Sequence, residues 1–294
     1  MGALLAGALE RALHHPLRAL PTPAVSRVGG WLGRKVAPAF YPGQDALARA
    51  ALRALRPGEP EDEALGAMWA NLGASFAEMA RILRFWDEGR VEVSGAARLL
   101  AAKRDGPVLA AGLHLGNPEV LGLTLARLGQ RLVGVATRQP TDFRERVITD
   151  LRLRGGGRII RADRDAMRPA LSVLRGGRET LLFWMDDYVR GRVNGPSLDR
   201  GPRRAGNIPL AVRLTRLSGC ALVPGFVERL PGAEAARFRA VFLPPVALPA
   251  PTGDRAADLA AGAAALNAVL DPLVRARLEQ WFFTIAWRPE EGGG

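Results

Sequence analysis

Residues 107–129, PVLAAGLHLGNPEVLGLTLARLG, decide the fold of this chain. The first part, PVLAAGLH, is a short continuous apolar run, which is typical of a strand buried on both faces. The second part, HLGNPEVLGLTLARLG, has apolar residues at helical spacing and ends at a glycine. A buried strand that leads directly into a helix predicts one unit of a parallel sheet, with functional residues expected at the carboxyl end of the strand.

The same alternation continues on both sides of this stretch. VEVSG and SGAARLLAAKRDG predict a strand and a helix before it, and the segments after it predict strands at RLVGVAT, GRIIRA, ETLLFWMD and ALVPGFVERL with helices between them. RFRAVFLPPVAL predicts one more strand, which can run antiparallel, before a final helix over residues 255–280. The sequence therefore predicts an α/β fold with a central, mostly parallel sheet flanked by helices.

The first 90 residues have a helical pattern instead. Helices are predicted over residues 45–56 and 61–86, with Pro57, Gly58 and Pro60 between them. We therefore divide the chain into a helical N-terminal region, residues 1–90, and an α/β domain, residues 91–290. In residues 1–20, leucines recur every three or four positions, which predicts an amphipathic helix that either lies on a membrane surface or packs on the domain. No apolar run reaches the roughly 18 to 20 residues of a membrane-spanning helix.

Charge and cysteine content narrow the function classes. The 294 residues carry a net charge of +12, and residues 138–216 alone contain 18 arginines against 9 acidic residues. Such a region is either a solvated arginine-rich face or binds phosphates, acidic carrier proteins, nucleic acid or anionic lipid. Nucleic acid is the weaker alternative, because no regular series of stacking aromatics accompanies the arginines. One cysteine, Cys220, and three histidines offer neither a disulfide nor a structural zinc site.

His114 is the single histidine of the α/β region, and it follows the apolar strand directly. We expect Asn117 to cap the next helix with Pro118 in its first position, so that Glu119 in the first turn reaches the imidazole. A histidine of near-neutral pKa can take a proton from an attacking hydroxyl, while a carboxylate fixes its tautomer and stabilises the imidazolium. A hydrogen-bonded strand-end histidine and a favourable helix-start charge would show the same pattern without catalysis.

Motifs of several other enzyme classes are absent from the sequence. It contains no G-x-S-x-G nucleophile elbow, no Walker A loop and no G-x-G-x-x-G after a strand. A general base without a protein nucleophile suits direct attack of a substrate hydroxyl or amine on an activated acyl group. This chemistry requires no metal and no bound cofactor.

HLGNPE, residues 114–119, resembles the H-x4-(D/E) motif of glycerolipid-type acyltransferases. Within them it most resembles the HxGNWE form of the lipid A biosynthesis lauroyl/myristoyl acyltransferase family, whose relatives include phosphatidylinositol mannoside acyltransferases. Further matching segments follow in the family's order, namely ATRQP at 136–140, DRD at 163–165, ALSVLRGG at 170–177, FWMDDY at 183–188, SGCALVP at 218–224 and QWFF at 280–283.

This resemblance implies a peripheral O-acyltransferase at the cytoplasmic face of the bacterial inner membrane. It implies transfer of a fatty acyl chain from an acyl-carrier-protein or CoA thioester to a hydroxyl of an anionic membrane lipid or glycolipid, such as a lipid A precursor. His114 is then the general base and Glu119 its orienting partner. Arg138, Arg164 and Asp186 would bind polar or phosphate groups of the substrates, since the arginine fork offers paired donors.

The residues also fit two other function classes. A catalytically silent basic module would bind membranes or nucleic acid with a steep salt dependence and without any need for His114. An acyl-thioester hydrolase would use the same base on water and would release free fatty acid without an added lipid.

Overall fold

The computed structural model describes residues 10–289, apart from residues 13, 163–164, 190, 202–204 and 233–234. The strands of these residues are β1 (Val91–Ser94), β2 (Val108–Gly112), β3 (Leu132–Ala136), β4 (Gly157–Arg161), β5 (Thr180–Trp184), β6 (Tyr188–Val189), β7 (Arg192–Val193), β8 (Ala221–Arg229) and β9 (Phe238–Phe242). Seven of them form one sheet in the order β1-β9-β8-β2-β5-β3-β4, and β6 and β7 form a separate hairpin.

The helices are α1 (Thr22–Lys35), α2 (Ala37–Phe40), α3 (Pro42–Leu55), α4 (Glu61–Glu78), α5 (Ala96–Asp105), α6 (Glu119–Arg127), α7 (Asp142–Arg154), α8 (Met167–Gly176), α9 (Asn207–Ser218) and α10 (Arg255–Arg275). The predicted α/β fold with a mostly parallel sheet is confirmed. The strand expected to differ in direction is β9, which runs antiparallel to β8 and pairs in parallel with β1.

Two predicted helices are shorter than expected. The helix predicted over residues 61–86 ends at Glu78, because the chain then turns so that Phe85 stacks on Phe238 of β9 with the ring centroids 5.3 Å apart. The final helix ends at Arg275 instead of residue 280, and the chain continues as a 3-10 helix, Leu278–Gln280. Residues 1–9 and 13 of the predicted amphipathic opening lie outside the described residues, while residues 10–12 and 14–17 are helical and pack on the domain, where Glu10 accepts a hydrogen bond from Thr141 and the His14 ring meets Phe143.

The sheet and the N-terminal helices share one apolar core. All five residues of β2 are buried, as expected for a central strand covered on both faces. Leu52 of α3 and Met68 of α4 belong to the same buried cluster as Leu109 and Leu113. The helical region is thus packed on the sheet, while its separation from the α/β domain at residue 90 stays a prediction.

Helix α10 is long and apolar. Among the described residues it is the one helix long and apolar enough to cross a membrane. Core helices of globular proteins pass the same test, and Leu266, Leu270 and Val274 of α10 are fully buried here. Packing within the domain therefore accounts for the apolar side chains of its inner face, while 39% of its most apolar 18-residue stretch is buried.

Helices α1 and α4 touch backbone to backbone through glycines. A Cβ atom added to Gly33 would lie 2.1 Å from the carbonyl oxygen of Trp69, and one added to Gly73 would lie 2.3 Å from that of Gly29. Any side chain at these positions would push the two helices apart. The glycines therefore fix how closely α1 lies against the rest of the protein.

We expect Gly33→Ala to lower the free energy of unfolding by about 1–3 kcal/mol, because the added methyl group has no room between the helices. Gly43→Ala is the matched control, since no atom lies within 4 Å of a Cβ at that helical position. The control should be neutral or slightly stabilising. Urea unfolding of both variants measures the difference, and equal stability of the two would contradict the close contact.

Candidate active site

The carboxyl ends of β2 and β5 bring a histidine and an aspartate together. The two strands are parallel neighbours with Gly112 opposite Trp184, so that His114 and Asp186 each lie two residues beyond this pair. Nδ1 of His114 is 2.7 Å from Oδ1 of Asp186, and the backbone N–H of His114 donates to Oδ2 at 2.8 Å. One carboxylate thus holds both the ring and the backbone of His114.

The Asp186 carboxylate is fully buried and binds a third donor. Nε1–H of Trp281 donates to its Oδ2 at 2.8 Å, and Trp281 itself is fully buried. A buried carboxylate is stable only when its oxygens are hydrogen-bonded, so these donors are what allow it to stay inside the protein. The C-terminal segment is held at the same place, because the N–H of Phe282 donates to the carbonyl oxygen of His114 at 3.0 Å.

The hydrogen bond to Asp186 determines which ring nitrogen of His114 meets a substrate. A carboxylate only accepts hydrogen bonds, so Nδ1 carries the proton and the lone pair is on Nε2. The ring lies against Trp184 with 4.2 Å between the centroids and meets the edge of Phe283 at 5.3 Å. With 25% of the side chain exposed, the imidazole is oriented as a general base would need to be.

Glu119 does not make the contact that the sequence led us to expect. Its carboxylate forms a two-point ion pair with Arg152 of α7, with Nε to Oε2 at 3.1 Å and Nη2 to Oε1 at 2.6 Å. Burial by itself lowers the pKa of Arg152, but the Glu119 carboxylate outweighs burial and raises it. The orienting partner of His114 among the described residues is therefore Asp186, because α6 begins at Glu119 and directs this side chain towards α7.

Asn117 also differs from its expected role as a helix cap. No side chain caps α6, and Nδ2 of Asn117 donates instead to Oε2 of Glu78 at 2.9 Å. The preceding Gly116 has φ +59°, and a Cβ there would lie 2.7 Å from the carbonyl oxygen of Val227. Oγ of Ser75 donates to the carbonyl oxygen of Gly116 at 2.9 Å. The loop after His114 is therefore held by helix α4.

A buried ion pair that the sequence analysis missed stands behind this loop. Both terminal nitrogens of Arg229, at the end of β8, bind the fully buried Glu78, at 2.6 and 2.9 Å. Nε of Arg229 donates to Asn71, and Ser26 of α1 donates to Glu78. Burial opposes the charged form of Glu78, but Arg229 and the other donors outweigh it and hold its pKa below the ordinary range. The sequence contains one indication of this pair, because Glu78 is the single acidic residue among residues 64–86.

The two arginines named from the resemblance are not brought into contact with His114 by what the structure describes. Arg138 follows β3 at the same edge of the sheet, but its side chain is 74% exposed and pairs with Asp142 at 2.7 Å. Arg164 lies outside the described residues. Their predicted role in substrate binding stays a prediction.

The long connection after β5 is anchored beside the site. Oδ2 of Asp187 accepts a hydrogen bond from Asn194, and its Oδ1 accepts one from the backbone N–H of Asn207 at the start of α9. Burial raises the pKa of the Asp187 carboxyl above its usual value. Tyr188 in the hairpin stacks on Phe283 with 6.5 Å between the centroids. The hairpin thus adds an aromatic wall to the site.

An apolar crevice lies next to the histidine. It lies between α6, α7, β3 and β4, and its enclosed space is about 40 Å³, within about 560 Å³ that includes the open mouth. Trp184, which contacts the His114 ring, and the Glu119–Arg152 pair are part of its wall. The remaining wall is mainly apolar or glycine and includes Leu83, Gly122, Leu123, Gly134, Leu151 and Ile159. His114 itself is not part of the wall, and Trp184 lies between the crevice and the imidazole.

A comparison of the sequence with known families agrees with this arrangement. The profile of the bacterial lipid A biosynthesis acyltransferases matches residues 8–286, which is nearly the whole chain. The chain belongs to this family. Membership confirms the predicted O-acyltransferase acting on lipid and points to a membrane-associated bacterial enzyme. No individual curated protein matches the acyltransferase significantly.

In this acyltransferase, Glu78→Gln is expected to lower the free energy of unfolding by about 3–5 kcal/mol, because Arg229 then stays buried without a countercharge. Since the pKa of Glu78 is lower in the folded state than its unfolded value of about 4.3, its stabilising effect is complete above that pH. This stabilisation is lost as the pH falls through the folded pKa. The difference between wild type and variant should therefore narrow in acid.

Urea unfolding at neutral pH and in the acid range measures both effects. Glu92→Gln is the control, because Glu92 pairs with Arg239 on the surface and an exposed pair contributes about 1 kcal/mol or less. A Glu78→Gln protein as stable as the Glu92→Gln protein at every pH would contradict the role given to the buried pair.

Proposed function

We propose that the acyltransferase moves a fatty acyl chain from an acyl-carrier-protein or CoA thioester to a hydroxyl of a membrane lipid or glycolipid, such as a lipid A precursor. The proposed place of the reaction is the cytoplasmic face of the bacterial inner membrane. The observation that carries the proposal is the orientation of His114, whose Nδ1 binds the fully buried Asp186 at 2.7 Å. This contact leaves Nε2 to accept a proton from the acceptor hydroxyl.

In the proposed reaction, Nε2 of His114 takes the hydroxyl proton as the acceptor oxygen attacks the thioester carbonyl carbon. A C–O bond forms, and the tetrahedral intermediate collapses with cleavage of the C–S bond. The departing thiolate receives the proton from the imidazolium, which restores the base. Asp186 holds the ring and stabilises the imidazolium charge, as the carboxylate does in other histidine-based sites. The balance requires no metal and no bound cofactor.

The other predicted site residues have supporting roles in this proposal. Glu119 acts through its ion pair with Arg152, which fixes the start of α6 directly after the His114 loop. Arg138 and Arg164 belong to the basic region of residues 138–216, which would attract CoA phosphates, an acidic carrier protein or anionic lipid. The exposed position of Arg138 at the carboxyl edge of the sheet supports an electrostatic role of this kind.

The apolar crevice beside Trp184 supports binding of the fatty acyl chain. Its wall is lined by leucine, isoleucine and glycine, and Trp184 joins it to the imidazole. Burial of an alkyl chain there would contribute about 0.8 kcal/mol per methylene. In this proposal the thioester carbonyl lies at the mouth of the crevice, beyond Trp184, on the side of His114.

The test of the base is the pair of variants His114→Ala and Asp186→Asn. Both should lower kcat by about 10² to 10⁴, because the first removes the base and the second disturbs its tautomer. Glu119→Gln should lower kcat less, since Glu119 contacts Arg152 instead of the ring. Transfer of labelled acyl groups to extracted lipids measures the rates, and Asp186→Asn should also change the pH profile of kcat/KM. The opposite ranking of Asp186→Asn and Glu119→Gln would make Glu119 the orienting carboxylate.

Mass spectrometry of lipids from cells with and without the enzyme identifies the acceptor. An acylated lipid that is present with the wild type and missing with His114→Ala is the expected result. Free fatty acid released at the same rate without any added lipid would instead identify a thioester hydrolase.

We expect Gly134→Leu to shorten the acyl chain that is preferred for transfer. No atom lies within 4 Å of a Cβ at Gly134, so a leucine there would extend into the crevice. Exclusion of two methylenes corresponds to a loss of about tenfold in preference for the longer chain. Competition between donors of different length measures this, with Gly176→Leu as a control in open space away from the crevice. An unchanged length preference would place the acyl chain elsewhere.

A further inference from the structure

Helix α1 has two faces of opposite character. The inner face carries Gly29 and Gly33, which pack on α4, and Ser26, which donates to the buried Glu78 at 2.6 Å. Helical spacing places Trp31 on the opposite face, and its side chain is 60% exposed. The outer face of α1 consists of Arg27, Val28, Trp31 and Lys35, all of which are exposed.

Exposed apolar side chains continue into the next helix, α2, which contacts α1. Phe40 at its end is 75% exposed and Tyr41, the next residue, is 53% exposed. Of the eleven large hydrophobic residues that are exposed among the described ones, five lie within residues 20–41, namely Leu20, Val28, Trp31, Phe40 and Tyr41. Such a concentration of exposed apolar side chains in one short segment indicates an interaction surface.

The charge around these side chains indicates what is bound. Residues 11–44 contain five basic residues and no acidic residue; Arg27 and Lys35 lie on the outer face of α1, whereas Arg11 lies over the ring of Phe143 in α7. Basic residues beside exposed tryptophan and phenylalanine are typical of helices that lie on anionic bilayers, where the rings enter the headgroup region and the charges meet lipid phosphates. The first acidic residue after this run, Asp45, is already bound to Nε1–H of Trp69, on which Tyr41 stacks. A protein partner or a second copy of the chain would present charges of both signs, so a basic run without acidic residues favours an anionic surface.

We propose that the docking face, defined as Arg27, Val28, Trp31 and Lys35 of α1 with Phe40 and Tyr41, binds the surface of an anionic phospholipid bilayer. The inference rests on the proposed function and names the surface by which the enzyme meets the membrane. Because Ser26 on the inner face of α1 bonds to Glu78, the docking face is separated from the network behind the His114 loop by about one helix diameter, ~10 Å. An acceptor lipid can therefore stay in the bilayer on which the enzyme is docked.

Co-flotation of the full chain with lipid vesicles tests the proposal. The wild type should bind vesicles of phosphatidylglycerol and phosphatidylcholine more tightly than vesicles of phosphatidylcholine alone. Trp31→Ser with Phe40→Ser should weaken binding by about tenfold or more, because two rings no longer leave water. Arg27→Gln with Lys35→Gln should weaken binding to anionic vesicles by about fivefold per charge and reduce its salt dependence.

Two further variants separate docking from general effects. Leu153→Ser removes a residue of similar exposure, 56%, on α7 and should bind vesicles like the wild type. Trp31→Phe keeps an aromatic ring and should restore most of the affinity lost in Trp31→Ser. Circular dichroism and urea unfolding show whether each variant is folded.

Three outcomes would overturn the proposal. The first is unchanged vesicle binding by the Trp31→Ser/Phe40→Ser protein. The second is equal weakening by Leu153→Ser. The third is a wild-type dimer that Trp31→Ser/Phe40→Ser converts to monomer in sedimentation experiments without a loss of vesicle binding, since the docking face would then bind a second copy.

The vesicle assay does not depend on acyl transfer, so it separates this inference from the proposed function. Docking variants should lose transfer to acceptor lipid in vesicles while they retain transfer to acceptor dispersed in detergent. If vesicle binding follows the predictions but neither form of acceptor is acylated, the proposed function fails and the docking face stands. If detergent-dispersed acceptor is acylated and docking variants transfer to vesicles like wild type, the docking face fails alone.

Discussion

The hydrogen-bonding requirement of a buried carboxylate organises this protein. Asp186 is buried at the end of β5, and its oxygens accept donors from His114 at the end of β2 and from Trp281 near the C-terminus. Unless all of these donors are in place, a negative charge would be left without partners inside the domain, at a high cost in free energy. The same bonds that keep Asp186 stable therefore fix the imidazole, so that folding and orientation of the base depend on one group.

A second buried carboxylate acts at the other end of the same loop. Glu78 binds Arg229 and Asn117, so the four residues from His114 to Asn117 are held between two charged groups. The two carboxylates differ in what they do. Glu78 is neutralised by an arginine and joins α4 to β8, whereas Asp186 faces the histidine itself. Orientation of a base by rigid partners lowers the cost of reaching the reactive geometry.

The sequence predicted the fold better than the site, for a physical reason. Apolar periodicity is local, so β2, β5 and the helices between them are visible in the pattern of residues such as 107–129. The order of strands is not local, and nothing in the pattern shows that β9 lies between β1 and β8. The sequence pattern predicts the partner of His114 five residues away at Glu119, whereas the structure has it 72 residues away at Asp186. The two apolar segments LAAGLH and LFWMD each end in a polar residue, His114 and Asp186. The register of β2 on β5 is what brings these two residues together.

In the proposed mechanism, His114 must discriminate between a lipid hydroxyl and water, because Nε2 can deprotonate either. Proton abstraction by itself cannot supply this discrimination, since both acceptors present a hydroxyl of similar acidity. Position can. The ring of His114 contacts Trp184, Phe282 and Phe283, whose apolar faces give a water molecule few partners beyond Nε2 itself. On the proposed docking face, an acceptor lipid held by the bilayer would gain an effective concentration near the enzyme, and this together with the apolar rings would favour transfer over hydrolysis.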